Sequence, residues 1–581
     1  MMKIKYAQNF VKRSLVAMVA TLSLTMAGCG SAAEGGDSKT PDGTGVTIYK
    51  NGSIYTVNPE QPSAQAVVIT DGVITFVGNN SDVAQYEIDS AQVIDLNGKM
   101  MMPGFHDVHI HPIVSGSENN HFSIDTFEAN PENFIPAVKQ AAKQFPNAQW
   151  LIGYGHDIYN LLKAQRPPVD ILDDAVSDRP VIIMEQSSHS MWLNSKALKA
   201  IGYSKDTADP VGGVIMKDEK TGLPNGILID NAGEVAMSVA MEATPDFIQV
   251  DYEGMVSYTL PELAKNGITS VVDARAFWKR GHLDVWNQLQ DANKLTVRAT
   301  VGLWAYPEDN DVEQLAKLKS LYRDDANSLL RINQIKLYSD GMPFNTTAAM
   351  KTPYEFDLLG LEGNKGLNYF SQARITNYIG ELEATGFDFH IHAIGDRGIH
   401  EALNAIEDAG SDQGRHRLTH IEILDPIDTP RFATLNVTAD LQVAGDFTDP
   451  SHWGDMIELI GAAKSDNLVP IKSLQEAGAR VTLSSDWSVS PFNPFIGLQN
   501  AVTRAPQNLS LDDALAAYTI NSAYVMRQEN KVGSIEVGKE ADLVILNQNL
   551  LEISHTKINQ TKILQTLLKG KEVFRSSDFN F

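Results

Sequence analysis

Cysteine is nearly absent from this chain. Its 581 residues hold one, Cys29, which excludes an intrachain disulfide framework. After the first thirty residues no apolar run is long enough to cross a bilayer. Basic charge is scarce too: 47 Lys and Arg stand against 72 Asp and Glu, and a net charge of −25 argues against nucleic acid as a partner. An acidic, soluble surface is reading enough for that excess. Internal repeats and low-complexity tracts are missing from the folded region. What is present, 43% hydrophobic and 8% aromatic residues, is the composition of a globular protein. The length suits a large barrel with an accessory domain.

The N-terminus reads differently. Lys3, Lys5, Lys12 and Arg13 form a basic start, Ser14 to Ala27 an apolar stretch, and Met26-Ala27-Gly28-Cys29 a small-residue cleavage site. These last four residues resemble a bacterial lipobox. The resemblance implies that residues 1–29 are a lipoprotein signal peptide and that Cys29 is the lipidated first residue of the mature chain. Gly30, where an Asp would retain the protein at the inner membrane, implies the outer membrane. Residues 30–45 are too poor in apolar groups to order themselves and read as a tether. The expectation is an exported cell-envelope lipoprotein that meets the membrane through its lipid anchor only.

From Val46 to Met101 short β-type runs alternate with turn pairs, Asn51-Gly52 and Asp71-Gly72 among them. Similar runs return in Gly533 to Asn547 and Lys562 to Phe574. Residues 46–100 plus 527–581 are therefore expected to form a small β-sandwich built from both termini. The middle, residues 101–526, alternates apolar strands with helical stretches, the pattern of an α/β fold with a (β/α)8 TIM-like barrel. Eight strands are expected: Met102 to Val108, Ile268 to Asp273, Thr296 to Val301, Ile332 to Tyr338, Phe387 to His392, Arg417 to Ile421, Val437 to Leu441 and Val481 to Ser485. The gap after the first far exceeds an ordinary connection, so an insertion is expected at about 120–265.

In GFHDVHIHP, period-2 alternation puts Asp107, His109 and His111 on one strand face and His106, Val108 and Ile110 on the other. Two imidazoles at i and i+2 can grip one cation, and imidazole suits zinc and other first-row divalent metals. Alone the pair is weak evidence. It gains weight because Lys336, His392, His420 and Asp486 stand at the expected C-terminal ends of later strands, where barrel enzymes carry their sites.

At this point the chain resembles the amidohydrolase superfamily, specifically amidohydrolase family 3. The resemblance rests on PGFHDVHIHP, DRPVIIMEQSSHSMWLNSKAL, KLYSDG followed by TAAM, HIHAIGDRGIHEALNA, RHRLTHIEIL, SSDWSVSPFNP and VGSIEVGKEADLVIL. It implies one or two divalent metal ions, zinc by preference, held by His109, His111, His392, His420 and Asp486, with Lys336 bridging once CO2 has turned it into a carbamate. His189 and Trp192, which match the SxHxxW segment, are expected to line the substrate pocket. His390 is expected one layer deeper in the barrel, and Asp396 in the loop or behind the ligands. Two departures, His106 and Asp157, touch no ligand position and leave the substrate open.

Asp486 is the candidate catalytic base, since a carboxylate at a metal can take a proton from water and return it to a leaving nitrogen. The expected function is cleavage of a carbon–nitrogen, amide-type bond of a small molecule by metal-activated hydroxide. Deamination, ester cleavage or isomerisation on the same metals, or a non-catalytic substrate-binding lipoprotein, are the alternatives. A homodimer is compatible with the sequence.

Overall fold

The residues Phe105–Ile110 are buried without exception, as a strand must be when the barrel interior lies on one side and helices on the other. The computed structural model describes residue 43 and residues 45–124, 128–445 and 449–579; Cys29, the signal segment and the tether up to residue 42 lie outside the described residues. Eight strands form one parallel sheet: β1 (Phe105–Ile110), β2 (Ile268–Ala276), β3 (Arg298–Trp304), β4 (Leu330–Tyr338), β5 (Asp388–Ala393), β6 (Arg417–His420), β7 (Thr438–Gln442) and β8 (Val481–Ser484). Each pairs with the next in chain order, the register of a barrel. At its seam β8 runs into β1: the Asp486 amide donates to the His109 carbonyl at 2.8 Å, and the His111 amide to the Trp487 carbonyl at 2.6 Å. The closing contacts therefore fall on the residues that carry the site.

The expected first strand, Met102 to Val108, needs correction, because the chain divides there. Met100–Pro103 pairs with Ser53–Tyr55 and, from the far end of the chain, with Leu543–Leu546. Only from Phe105 does the barrel strand begin. Gly104 makes the crossing possible, since a Cβ there would sit 2.3 Å from Thr269 Oγ1. A continuous apolar run such as MMMPGF gives no periodicity to mark such a division.

Two sheets lie outside the barrel at this end. One has four strands, all from residues 46–95; the other has six and joins strands of both termini. Tyr49, Val67 and Ile69 share a core with Ile545 and Leu567, which ties the two sheets together. Between β1 and β2 stands the insertion, a six-stranded mixed sheet spanning Phe122 to Asp230, followed by the helices Asn231–Glu242, Phe247–Gly254 and Leu260–Lys265. Among the described residues no helix is long and apolar enough to cross a membrane.

Candidate metal centre

Alternation along β1 turns His109 and His111 toward the barrel interior, where their side chains are 1% and 4% exposed. There Oδ1 of Asp486 lies 2.9 Å from Nε2 of His111 and 3.3 Å from Nε2 of His109. The His420 ring is 4.8 Å from that of His109 and 4.5 Å from that of His392, centroid to centroid. Ligand atoms of His109, His420 and Asp486 all lie within 4.8 Å of one another, close enough to share an ion. Reaching this arrangement bends the backbone: His420, the last residue of β6, and Asp486, two residues past the end of β8, hold φ of 76° and 57°. Non-glycine residues rarely adopt that conformation, and such strain gathers at functional sites.

Burial shapes the charges. It holds His109, His111 and His392 below the ordinary imidazole range and His420 down to about 3, so the rings are neutral and keep a lone pair for a metal. Burial opposes ionisation of Asp486, but the electrostatic pull of the His109 ring and the hydrogen bonds to His109 and His111 outweigh it and hold the carboxyl well below its usual range. Lys336, on the same inward face of β4 as Tyr338, is fully buried, and burial pushes its amine far down. Among the described residues its Nζ has no hydrogen-bond partner, nor do Nδ1 of His111 and Nδ1 of His392. Neutral imidazoles, an ionised carboxylate and orphaned buried nitrogens fit a divalent cation, and an unmodified Lys⁺ among them would not.

A layer beneath holds these groups in place. Nδ1 of His109 contacts Thr419 Oγ1 at 2.8 Å and Nε2 of His390 at 3.0 Å, and Arg417 donates to Nδ1 of His390 at 2.7 Å. His390 is thus the deeper, hydrogen-bonded residue. Asp340, on the loop after β4, accepts the amides of Ala349, Ile394 and Gly395 at 2.8 to 3.0 Å and so fixes the loop that follows His392. Burial pushes its carboxyl up to about 7. Asp396 accepts the Lys351 amide at 2.7 Å and pairs with Lys464, a loop function. His106 turns to the carbonyl of Gly104 at 3.1 Å, away from the cluster.

His189 reaches the centre from the insertion, its ring 5.6 Å from His392 and 5.9 Å from Tyr338. Trp192 does not. It is fully buried in the insertion core, donates Nε1 to the Pro168 carbonyl at 2.9 Å and packs edge-on against Phe134 and His156. Alternation explains the difference, because Trp192 lies inside the strand Ser190–Leu193 and His189 just before it.

Sequence reasoning missed several groups. Tyr338 stacks on His392 at 4.0 Å and receives a hydrogen bond from Arg275 at 3.3 Å. Glu234 pairs with Arg280 at 2.6 Å and with Arg275 at 3.3 Å. Glu422, two residues past His420, has its carboxyl pushed up to about 8 by burial, with the charges of Asp340 and Asp486 adding to it. Tyr338, Asp340 and Glu422 lay inside segments that singled out Lys336 and His420, whereas Arg275 and Glu234 had no local signal.

Comparison with known proteins places the chain in a family. The chain is 28% identical over 559 residues to the putative amidohydrolase YtcJ of Bacillus subtilis, covering 91% of this chain and 99% of that one. It is 24% identical over 541 residues to N-substituted formamide deformylase of Arthrobacter pascens, covering 90% and 96%. The crystal structure of an uncharacterized metal-dependent hydrolase from Pyrococcus horikoshii matches with a TM-score of 0.70 and 25% identity, over 88% of this chain and 99% of that one. The amidohydrolase family profile matches residues 92–574. On that match the chain belongs to the amidohydrolase family and is a metal-dependent hydrolase.

Proposed function

We propose that this protein hydrolyses a carbon–nitrogen bond of amide type in a small molecule. His109, His420 and Asp486, whose ligand atoms lie within reach of one ion, would hold one or two divalent cations together with His111, Lys336 and His392, zinc by preference. The observation that carries the reading is the placement of Asp486 Oδ1 within 3.3 Å of both Nε2 atoms of the His109 and His111 pair. A cation seated there supplies Lewis acidity, polarising a carbonyl and bringing the pKa of a water toward ~7.

The chain supplies the proton transfers. Asp486 is ionised and takes the proton of the attacking water; it then passes that proton to the nitrogen as the carbon–nitrogen bond breaks. Lys336 adds CO2: a nitrogen–carbon bond forms, a proton leaves, and a carbamate anion replaces the amine. That addition requires a neutral amine, which full burial favours. The relative named as a formamide deformylase supports an amide substrate. Zinc-loaded protein assayed against N-formyl and N-acyl amides tests the reading. Turnover of amides supports it, and turnover of esters or amidines alone contradicts it.

Cys29 and the segment before it support export and lipid anchoring in the cell envelope, at the outer membrane. Cys29→Ser should release the protein from the membrane fraction, and retention there would contradict the anchor.

A further inference from the structure

Beside the metal cluster stands a His–Asp pair contributed wholly by the insertion. Asp230 ends the strand Pro224–Asp230, and His189 immediately precedes its antiparallel neighbour Ser190–Leu193. The two residues are joined twice. The Asp230 amide donates to the His189 carbonyl at 2.9 Å, and Nδ1 of His189 lies 2.5 Å from Oδ1 of Asp230. The backbone is bent to bring them together, with φ of 62° at Ser188 and 52° at Asp230. Space is cleared for the carboxylate as well: a Cβ on Gly341 would stand 2.7 Å from Asp230 Oδ2.

The pair has one open edge. Asp230 is sealed, with its side chain at 0% exposure, while the His189 side chain is 11% exposed among neighbours that are almost fully buried. No group among the described residues hydrogen-bonds its Nε2, and the ring borders Tyr338 and His392 at the C-terminal end of the barrel. In a singly protonated ring that gives its Nδ1 proton to Asp230, Nε2 is left as a lone pair, an acceptor on a ring that borders the cluster. Next to its carbonyl, a secondary amide offers one group that such an acceptor recognises, its N–H.

We propose that the His189–Asp230 pair selects secondary amides, with His189 Nε2 accepting the substrate N–H and Asp230 acting as the positioning residue that fixes the ring tautomer. This rests on the amide reading above. The neutral carbonyl side of the substrate is left to the metal cluster, so the pair governs which nitrogen substituents are admitted. Tertiary amides, which lack the N–H, leave the acceptor unpaired in a desolvated pocket, and that is the basis of discrimination.

The test compares formanilide with N-methylformanilide on the zinc-loaded full-length protein. Wild type should favour formanilide in kcat/KM by at least about tenfold over their ratio in hydroxide hydrolysis. Asp230→Asn keeps the side-chain shape, but its Nδ2 donates to Nδ1 of His189 and turns Nε2 into an N–H. The preference should then vanish or reverse, as it should in His189→Phe. In metal-free protein, 15N NMR of the His189 ring, identified by its loss in His189→Phe, should show the proton on Nδ1 in wild type and on Nε2 in Asp230→Asn. A preference that survives in both variants, or an unchanged tautomer, overturns the inference. Wild type that hydrolyses both probes equally also overturns it, whereas wild type that hydrolyses neither overturns the amide reading and this inference with it.

Discussion

Nδ1 of His109 lies 2.8 Å from the Thr419 hydroxyl, and that hydroxyl donates to Oδ2 of Asp440, also at 2.8 Å. Asp440 is itself bound by Thr482 and Ser484 at 2.8 to 3.0 Å, so β6, β7 and β8 together orient a ring on β1. With Nδ1 engaged below, Nε2 is left toward Asp486. Thr419→Val keeps the volume and removes the relay. Metal affinity should fall by about 10- to 100-fold while the fold persists, read by competition with a chelator of known affinity. Unchanged affinity would remove Thr419 from the account.

Asp486→Asn keeps the size of the side chain and removes its charge. The proton-transfer role predicts a fall in kcat of roughly 10²- to 10⁴-fold with the protein still folded and at least partly metallated. Circular dichroism and metal content, measured with kcat on the same sample, separate this from unfolding. Retained turnover would sink the assignment.

Much of this site was legible in the sequence, for a physical reason. Strand alternation and the barrel's habit of gathering function at one end act locally, so each of His109, His111, Lys336, His392, His420 and Asp486 carried its own signal. The strand division at Gly104 was not legible, because it depends on the approach of Thr269 from far along the chain. Arg275 and Glu234 were hidden for the same reason: their pairing joins β2 to the helix Asn231–Glu242. Trp192 shows the opposite failure, since a motif names a segment but only packing says which side chain faces the pocket.

Gly341 is a point of close approach between loop and insertion. An added Cβ would lie 2.2 Å from Thr347 Oγ1 and 2.7 Å from Asp230 Oδ2. Gly341→Ala should cost about 1–3 kcal/mol by overpacking and displace Asp230, lowering kcat/KM more than stability alone explains. Denaturant titration alongside kinetics checks both, and a neutral effect on each would show that the contact yields freely.

His156 is buried in the insertion with Nε2 3.2 Å from the Ile183 carbonyl and Nδ1 without a hydrogen-bond partner among the described residues, and burial lowers it from 6.5 to about 3. Between those values the unfolded chain binds a proton that the folded chain refuses. Its contribution to stability is therefore full above about pH 6.5 and is lost as pH falls, by about 1.4 kcal/mol per unit. His156→Phe should gain on wild type by that amount per unit between pH 6 and 4. Parallel urea titrations at several pH values read the difference, and curves that stay parallel would contradict it.

The central claim is that the barrel end binds catalytic metal through the His109 and His111 pair and its partners. Metal content per chain of full-length protein, measured after gel filtration in metal-free buffer, tests it most directly. The account predicts about one to two equivalents of a divalent metal, zinc above all, falling to near zero when His109 and His111 are both replaced by Ala in a protein that remains folded. Metal-free wild type that still hydrolyses substrate, or metal retained in full by the double variant, would contradict it.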